Sequence, residues 1–244
     1  MRTIFWDLET SPLIVPVWGL WENNVDHTTI LEETNILCAC WKEPGTKAEI
    51  GSLSVDPANP RNDKALCRAL RAALEDADVI VAHNGDDFDL RVLNARLIYH
   101  GFDPLPPITT IDTKKVAKSK FRFVSNRLDY LGAYLGLGRK KKTNFKLWLD
   151  VLNGNQKALD YMVRYCKQDI KLLEKVYLKL RPFMTNHPNL RLGSGRPGCP
   201  NCGKGPLIRQ GTRRTRQSLY VRYQCKACGA WPKSMELVER TKVS

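Results

Sequence analysis

Two Cys-x-x-Cys pairs near the carboxyl end constrain this chain more than any other feature. Cys199 and Cys202 form the first pair, Cys225 and Cys228 form the second, and a glycine follows each pair. Four thiolates suit a tetrahedral Zn²⁺ ion, and an ion with four protein ligands has no open position for chemistry. The spacer of 22 residues is slightly longer than is usual for such pairs. The sequence therefore predicts one structural zinc ion, which a unit of this size needs in order to fold.

The residues between the two pairs show the alternation of a strand, with Leu219 and Val221 on one face. Two metal knuckles on a small β-sheet resemble a zinc ribbon. We assign the ribbon to residues 199–244. The preceding residues 185–198 are rich in Pro, Gly and Asn, as is typical of a linker, and residues 1–184 form a larger domain.

Charge is concentrated in the same carboxyl-terminal region. The chain has a net charge of +14, and residues 189–244 contain 12 Lys and Arg but only 2 Asp and Glu. A basic tail of this kind favours a polyanionic partner. The sequence thus predicts nucleic-acid binding by ribbon arginines, among them Arg213, Arg214 and Arg222. Docking to a polymerase or another replication protein is the alternative.

The larger domain alternates short apolar runs with helical spacing. Strands are predicted at 4–9, 36–41, 48–53, 79–84 and 108–113, and helices at 63–78, 86–99, 128–135 and, as one or two helices, 155–180. This order predicts an α/β fold with a mixed β-sheet flanked by helices.

Acidic residues fall at particular points of this pattern. Asp7 and Glu9 are two apart on the first predicted strand, so both face the same side, where a Mg²⁺ or Mn²⁺ ion would relieve their repulsion. Asp89 lies in the first turns of a predicted helix, and Tyr165 and Asp169 share one face of a later helix. Taken singly, each of these signals is weak, and a solvated strand, helix capping and a packed tyrosine are the simpler explanations.

In combination these residues resemble the DEDD superfamily of 3′–5′ exonucleases, which has an RNase H-like fold. The three motifs are Asp7-Leu8-Glu9, Asn84 through Phe88-Asp89, and Tyr165 with Asp169, and the tyrosine selects the tyrosine branch (DEDDy). The segment 128–138 also looks like this branch, near the proofreading domains of family B polymerases. The resemblance covers about residues 1–184.

The resemblance implies hydrolysis of phosphodiesters with two Mg²⁺ or Mn²⁺ ions. It implies that Asp7 bridges both ions, that Glu9 and Asp169 hold the ion that activates water, and that Asp89 supports the other. Tyr165 would orient the attacking water, since a free phenol with a pKa of about 10 is a poor general base. Leu8, Thr10 and Asn84 would lie near the terminal nucleotide.

Residues 114–146 contain eleven Lys and Arg and one acid. The cations could hold phosphates and an aromatic ring could stack on a base. The candidates are Phe121, Arg122, Arg139, Lys140 and Lys141. The alternative is that the Phe side chains face the core and the lysines are merely solvated.

These inferences predict a metal-dependent 3′–5′ exonuclease for DNA, with single-stranded 3′ ends as the preferred substrate, acting alone or as a proofreading subunit. A 3′–5′ exoribonuclease of the same fold and an inactive nucleic-acid-binding or replication accessory module are the alternatives. The N-terminus is interrupted by acids and no apolar run approaches the roughly 20 residues of a membrane span, so no membrane association is expected. We expect a cytoplasmic protein of a bacterium or a phage-infected host cell.

Overall fold

The computed structural model describes residues 1–19, 21, 24–45, 50–192, 198–234 and 236–241. A five-stranded sheet with the order β3-β2-β1-β4-β5 forms the centre of the larger domain. Its strands are β1 (Thr3–Thr10), β2 (Ile36–Lys42), β3 (Gly51–Ser54), β4 (Val79–Ala82) and β5 (Thr109–Asp112). Strands β1, β2 and β3 are antiparallel, whereas β4 and β5 run parallel to β1. The sheet is therefore mixed.

Six α-helices surround this sheet in the described part of the chain. They are α1 (Lys64–Leu74), α2 (Asp89–Tyr99), α3 (Thr113–Lys120), α4 (Leu128–Tyr134), α5 (Lys146–Leu152) and α6 (Gln156–Leu180), with short 3₁₀ turns at His27–Thr29 and Arg181–Phe183. This architecture confirms the predicted α/β class and is RNase H-like. None of the helices in the described ranges is both long and apolar enough to cross a bilayer.

Helix α6 packs across β1 and β2 and positions one side of the site. It is a single helix of 25 residues. Apolar residues at three- and four-residue spacing, such as Leu159, Met162 and Ile170, are fully buried on its inner face. The Asn155 side chain caps its first turn by accepting a hydrogen bond from the Ala158 amide at 3.2 Å.

Several predicted boundaries were wrong. The helix predicted from residue 86 begins at Asp89, because residues 84–88 form a turn after β4. Helices α3 and α5 were not predicted. Helix α3 has few apolar residues to mark an inner face, whereas α5 is only seven residues long and is apolar at five of them, so neither shows a helical period. Helix α3 starts where Asp112 accepts hydrogen bonds from the amides of Lys114 and Lys115. The strand predicted at 48–53 is described only from residue 50, and its residues 48 and 49 lie outside the described residues.

The carboxyl-terminal region forms a separate three-stranded antiparallel sheet, β6-β7-β8. Its strands are β6 (Leu207–Arg214), β7 (Ser218–Cys225) and β8 (Leu237–Arg240). The alternation at Leu219 and Val221 predicted β7 alone. Strands β6 and β8 were missed because most of their side chains are exposed and follow no apolar alternation.

The predicted linker 185–198 is described as far as residue 192 and again from 198. Its described part is held to both regions. His187 Nε2 lies 2.7 Å from the Tyr177 hydroxyl of α6, and the Leu190 amide donates to the Pro200 carbonyl at 2.8 Å. Asn201 of the first cysteine knuckle donates to the Met184 carbonyl at 3.2 Å. The boundaries of the domains stay a prediction.

Candidate active site

A cluster of carboxylates lies where β1 faces α6. Asp7 and Glu9 project from the same face of β1, and Asp169 meets them from α6. One oxygen from each of these three carboxylates lies within 4.8 Å of the other two. The period of two along β1 and the packing of α6 over that strand together create this cluster.

Asp89 joins the cluster from the first position of α2. It is buried, and its Oδ1 accepts a hydrogen bond from the Leu8 amide at 3.2 Å, between the two acids of β1. The carboxylate also raises the pKa of Asp7 and of Glu9, which places its charge close to both. The structure therefore brings all four predicted acids together.

The turn before α2 determines where Asp89 lies. Asn84 has a φ of 74°, the one positive φ of a non-glycine residue in the described chain. Its backbone amide donates to Asp112 Oδ1 at 2.9 Å, which stabilises this conformation. A Cβ on Gly85 would lie 2.3 Å from the Ala82 Cβ and 3.8 Å from Asp89 Oδ2. Only glycine fits at that point of the turn.

The raised pKa values of the carboxylates in the cluster indicate that their negative charges are buried and repel one another. Burial, followed by the charges of Asp89, Glu9 and Asp169, raises the pKa of Asp7 well above its ordinary value. Burial raises the pKa of Glu9 to about 8 and that of Asp89 to about 7. The buried Oδ1 of Asp169 accepts no hydrogen bond from a described residue. Clustered carboxylates with an unsatisfied oxygen fit a hard divalent cation, which prefers oxygen ligands.

Lys140 lies inside this cluster. Its Nζ is 2.6 Å from Asp169 Oδ2, donates to the Tyr165 hydroxyl at 3.2 Å, and lies 5.3 Å from the centre of that ring. We predicted a nucleic-acid contact for Lys140, and nothing in the run 139–142 distinguishes it from its neighbours. The contact of its side chain with α6 is a tertiary feature. Its backbone amide donates to Asp129 Oδ1 at 2.8 Å.

Tyr165 lies one helical turn before Asp169 on α6, with its hydroxyl at the cluster. Burial and the charge of Asp169 raise the pKa of Tyr165 to about 12. The phenol is therefore neutral at physiological pH, and its hydroxyl accepts a hydrogen bond from Lys140.

A shell of polar residues supports the adjoining turn. His83 Nδ1 lies 2.9 Å from Thr113 Oγ1, and its Nε2 lies 2.9 Å from the Asn126 carbonyl. Burial lowers the pKa of His83 to about 4, so the ring is neutral and joins three segments. Asn84 Oδ1 accepts a hydrogen bond from Lys114 Nζ at 2.9 Å. The ammonium of Lys114, which sequence analysis did not single out, is thereby fixed beside the second motif.

An open cavity of about 320 Å³ adjoins the end of β1. Thr10 and Pro12 line one side of it, and Phe145 and Trp148 line the other. The Phe145 side chain is 60% exposed. Sequence analysis missed both aromatic residues, because α5 was not predicted. Exposed aromatic surfaces of this kind can stack on nucleobases.

The remaining predicted nucleic-acid contacts are less closely tied to the cluster. Phe121 stacks on Phe123 at 5.0 Å between ring centres and contacts Phe183 at the same distance, and it packs against the core. That packing favours the alternative that the Phe side chains face the core. Arg122, Arg139 and Lys141 are exposed, and Lys141 Nζ lies 5.9 Å from the Tyr161 ring centre.

The four tail cysteines converge as their spacing predicted. One sulfur from each lies within 4.8 Å of the other three, and all four are free thiols. Gly203 and Gly229 follow the two pairs with φ values of 68° and 75° and donate to the carbonyls of Cys199 and Cys225. Four soft sulfur ligands in two such turns fit a tetrahedral zinc ion.

Basic and aromatic side chains pair on the surface of this cysteine-bearing sheet. Arg213 lies 5.2 Å from the centre of the Tyr220 ring, and Arg222 lies 4.9 Å from that of Trp231. Arg214 is also exposed. The predicted arginines are therefore accessible to a polyanion.

A third group of potential ligands, formed by Asp63, Cys67 and His100, has a structural explanation. Arg96 donates two hydrogen bonds to the Asp63 carboxylate at 2.8 and 2.7 Å, and His100 Nε2 lies 2.6 Å from it. The Asp63 carboxylate also accepts from the Ile36 amide at 2.9 Å. A guanidinium already neutralises this acid, so the group ties α1 and α2 to β2.

The fold and the acidic cluster together define an RNase H-like domain of the nuclease type. A model of the RNase H superfamily matches residues 28–181, and the chain belongs to that superfamily. The solved structure of a family B DNA polymerase from the hyperthermophilic archaeon Pyrobaculum calidifontis is similar to this chain. The TM-score is 0.54 at 15% sequence identity, over 75% of this chain and 25% of that chain. No curated protein matches.

Proposed function

We propose that the protein is a metal-dependent 3′–5′ exonuclease of the tyrosine branch, acting on single-stranded 3′ ends of DNA. The observation that supports this most directly is the convergence of Asp7, Glu9 and Asp169 beside Asp89, with the Tyr165 hydroxyl at the same point. The membership in the RNase H superfamily and the likeness to a family B DNA polymerase support nuclease chemistry and a DNA substrate.

The cluster suits two Mg²⁺ or Mn²⁺ ions, which would be held by Asp7, Glu9, Asp89 and Asp169. When bound, such ions lower the pKa of water and stabilise the charge that develops on the oxygens around phosphorus. The four mutually repelling carboxylates, with the unsatisfied Oδ1 of Asp169, supply the oxygen ligands that such ions require.

Side chains and backbone groups of the protein would position the attacking water and the substrate. The neutral Tyr165 hydroxyl would hydrogen-bond the attacking water and hold it in line with the scissile bond. The backbone at Leu8 and Thr10, beside the cavity lined by Phe145 and Trp148, would hold the terminal nucleotide. Asn84 and the ammonium of Lys114 would contact the adjoining sugar or phosphate.

The cysteine cluster would hold one zinc ion and fold the tail as a zinc ribbon. Its exposed Arg213, Arg214 and Arg222 would grip the nucleic acid outside the active site. A replication or repair protein, such as a polymerase, is a further partner that this arrangement allows. A cytoplasmic location stays a prediction.

The test is digestion of a 5′-labelled single-stranded DNA oligonucleotide with Mg²⁺ or Mn²⁺. The wild type should give a ladder of shortening products. Asp89→Asn should lower the rate by about 10²-fold or more, because it removes charge from the site. Asp87→Asn is the matched control, since Asp87 is exposed and pairs with Arg91 and Lys115 outside the cluster.

The alternatives give distinct results in the same experiment. An RNA ladder without a DNA ladder would identify an exoribonuclease of the same fold. Binding of both oligonucleotides without cleavage would identify an inactive binding module. Equal losses in Asp89→Asn and Asp87→Asn would contradict the assignment of Asp89.

A further inference from the structure

The carboxylate cluster already contains a cation that belongs to the protein. Lys140 Nζ forms an ion pair with Asp169 Oδ2 at 2.6 Å, and the side chain of Asp169 is only 1% exposed. Among the described residues, no other Lys or Arg forms an ion pair with the four acids of the cluster. The charge of Lys140 also lowers the pKa of Asp7, Glu9 and Asp89. The single ammonium of Lys140 therefore partly compensates the negative charge of all four acids.

The contacts of Lys140 differ from those of its neighbours. Lys141 and Lys142 are exposed, whereas the Lys140 side chain is 31% exposed and its ammonium contacts Asp169 and the Tyr165 ring of α6. The backbone of this segment is fixed, because the Lys140 amide donates to Asp129 and Gln168 donates to the Arg139 carbonyl at 3.1 Å. The side chain is thus the part that is free to move.

A divalent cation bound by either oxygen of Asp169 would lie within a few ångströms of the ammonium, because the ammonium contacts Oδ2 and both oxygens belong to one carboxylate. Two cations so close together repel each other strongly where water is largely excluded. A flexible four-carbon stem lets an ammonium leave without moving the backbone. The ammonium and a metal ion therefore cannot occupy their preferred positions together.

We propose that Lys140 is a resident counter-ion of the metal-free site, which a divalent cation displaces. This proposal rests on the proposed metal-dependent function, and it makes Lys140 a positioning residue. Before loading, the ammonium holds Asp169 and Tyr165 in place and limits repulsion among the acids. After loading, it projects toward solvent beside the site, where it can contact a substrate phosphate, as its sequence context predicted.

The first test measures Mn²⁺ binding by calorimetry with the full-length, zinc-loaded protein. Lys140→Met removes the competing charge and keeps most of the apolar stem, so Mn²⁺ should bind at least about tenfold more tightly than to the wild type. Lys142→Met is the matched control and should leave the affinity unchanged. Equal or weaker binding by Lys140→Met would overturn the proposal.

A second measurement uses the wild type and does not depend on how a variant folds. Modification of lysines by an amine-reactive reagent is followed residue by residue by mass spectrometry, with and without Mn²⁺. Lys140 should be protected in the metal-free protein and become several times more reactive when Mn²⁺ binds, while Lys142 should not change. If Mn²⁺ bound without changing the reactivity of Lys140, the displacement of its ammonium by the metal ion would be contradicted.

These readouts separate this proposal from the proposed function. If the wild type bound no Mn²⁺ and Asp7→Asn behaved identically, the metal-dependent function itself would fail. If Mn²⁺ binding occurred and required Asp7 but Lys140 stayed protected from the reagent, only the proposed displacement of Lys140 would fail.

Discussion

Individual side chains in the active site experience an electrostatic environment that the fold imposes on them. Four carboxylates are brought together with one ammonium, so their charges are only partly compensated. Burial and neighbouring charges raise their pKa values, which opposes folding at neutral pH in the absence of metal. The fold therefore holds these carboxylates together at a cost in folding free energy, as is common at functional sites.

This repulsion has a measurable pH dependence. The pKa of Glu9 is about 8 in the folded protein, against 4.5 for an ordinary glutamate. A raised pKa contributes stability at low pH that is lost as the pH rises toward the folded value. The metal-free wild type should therefore lose stability between pH 5 and pH 8, and Glu9→Gln should abolish part of this loss.

Urea unfolding of metal-depleted, zinc-retaining protein would measure the effect. Glu9→Gln should be more stable than the wild type by about 1 to 3 kcal/mol at pH 8, with a smaller difference at pH 5. Glu33→Gln, at an exposed position between β1 and β2, is the control. A difference that is the same at both pH values would contradict the role assigned to burial.

At the scale of elements, the site depends on how α2 follows β4. The turn contains a strained residue, Asn84, and a glycine whose missing side chain allows close approach to Ala82. Such strain is tolerated where surrounding contacts determine the conformation. Here it brings Asp89 to the amide between the acids of β1.

A substitution in this turn should therefore lower nuclease activity by displacing Asp89. Gly85→Ala would place a Cβ 2.3 Å from that of Ala82, and we expect a loss of about 1 to 3 kcal/mol of stability together with reduced nuclease activity. The double variant Ala82→Gly/Gly85→Ala removes the clash and should recover activity. Thermal unfolding and oligonucleotide digestion would measure both, and full activity in Gly85→Ala would contradict this account.

At the scale of the whole molecule, two regions of different chemistry are joined. The larger domain has an apolar core and an acidic cluster, whereas the tail has few apolar residues and a high density of arginine. In the described part of the tail, the buried cluster is small and is formed by Cys199, Cys202 and Cys225 with Leu207 and Cys228 packed against it. A unit with so small a core would depend on the proposed zinc ion for stability.

Loss of one zinc ligand should therefore separate binding from chemistry. Cys225→Ser should lose zinc and bind single-stranded DNA about tenfold more weakly, because the arginines are no longer held on a sheet, while short oligonucleotides are still cleaved. Zinc content and fluorescence anisotropy at two salt concentrations would measure this. Lys226→Gln, an exposed neighbour, should keep its zinc.

The binding measurement also tests the partner of the tail. Wild-type affinity should fall steeply with salt, since phosphate contacts release counterions. A zinc-free Cys225→Ser protein with unchanged DNA affinity would indicate that the tail binds a protein instead.

The sequence by itself determined the fold class, the central strands and the residues of the acidic and cysteine clusters. These features depend on local periodicity and spacing: two residues along β1, four along α6, and two between paired cysteines. Helices α3 and α5 escaped prediction because α3 has few apolar residues and α5 is short and mostly apolar, so neither shows a clear period of 3.6 residues.

Only the tertiary structure decided which of several similar residues enters the site. Lys140 and its neighbours are chemically similar in sequence, yet within the run 139–142 only Lys140 forms an ion pair with Asp169. The cavity beside Thr10, with Phe145 and Trp148, likewise exists only because α5 packs near the end of β1. Sequence patterns specify which face of an element is buried, whereas packing between distant elements determines which side chains meet.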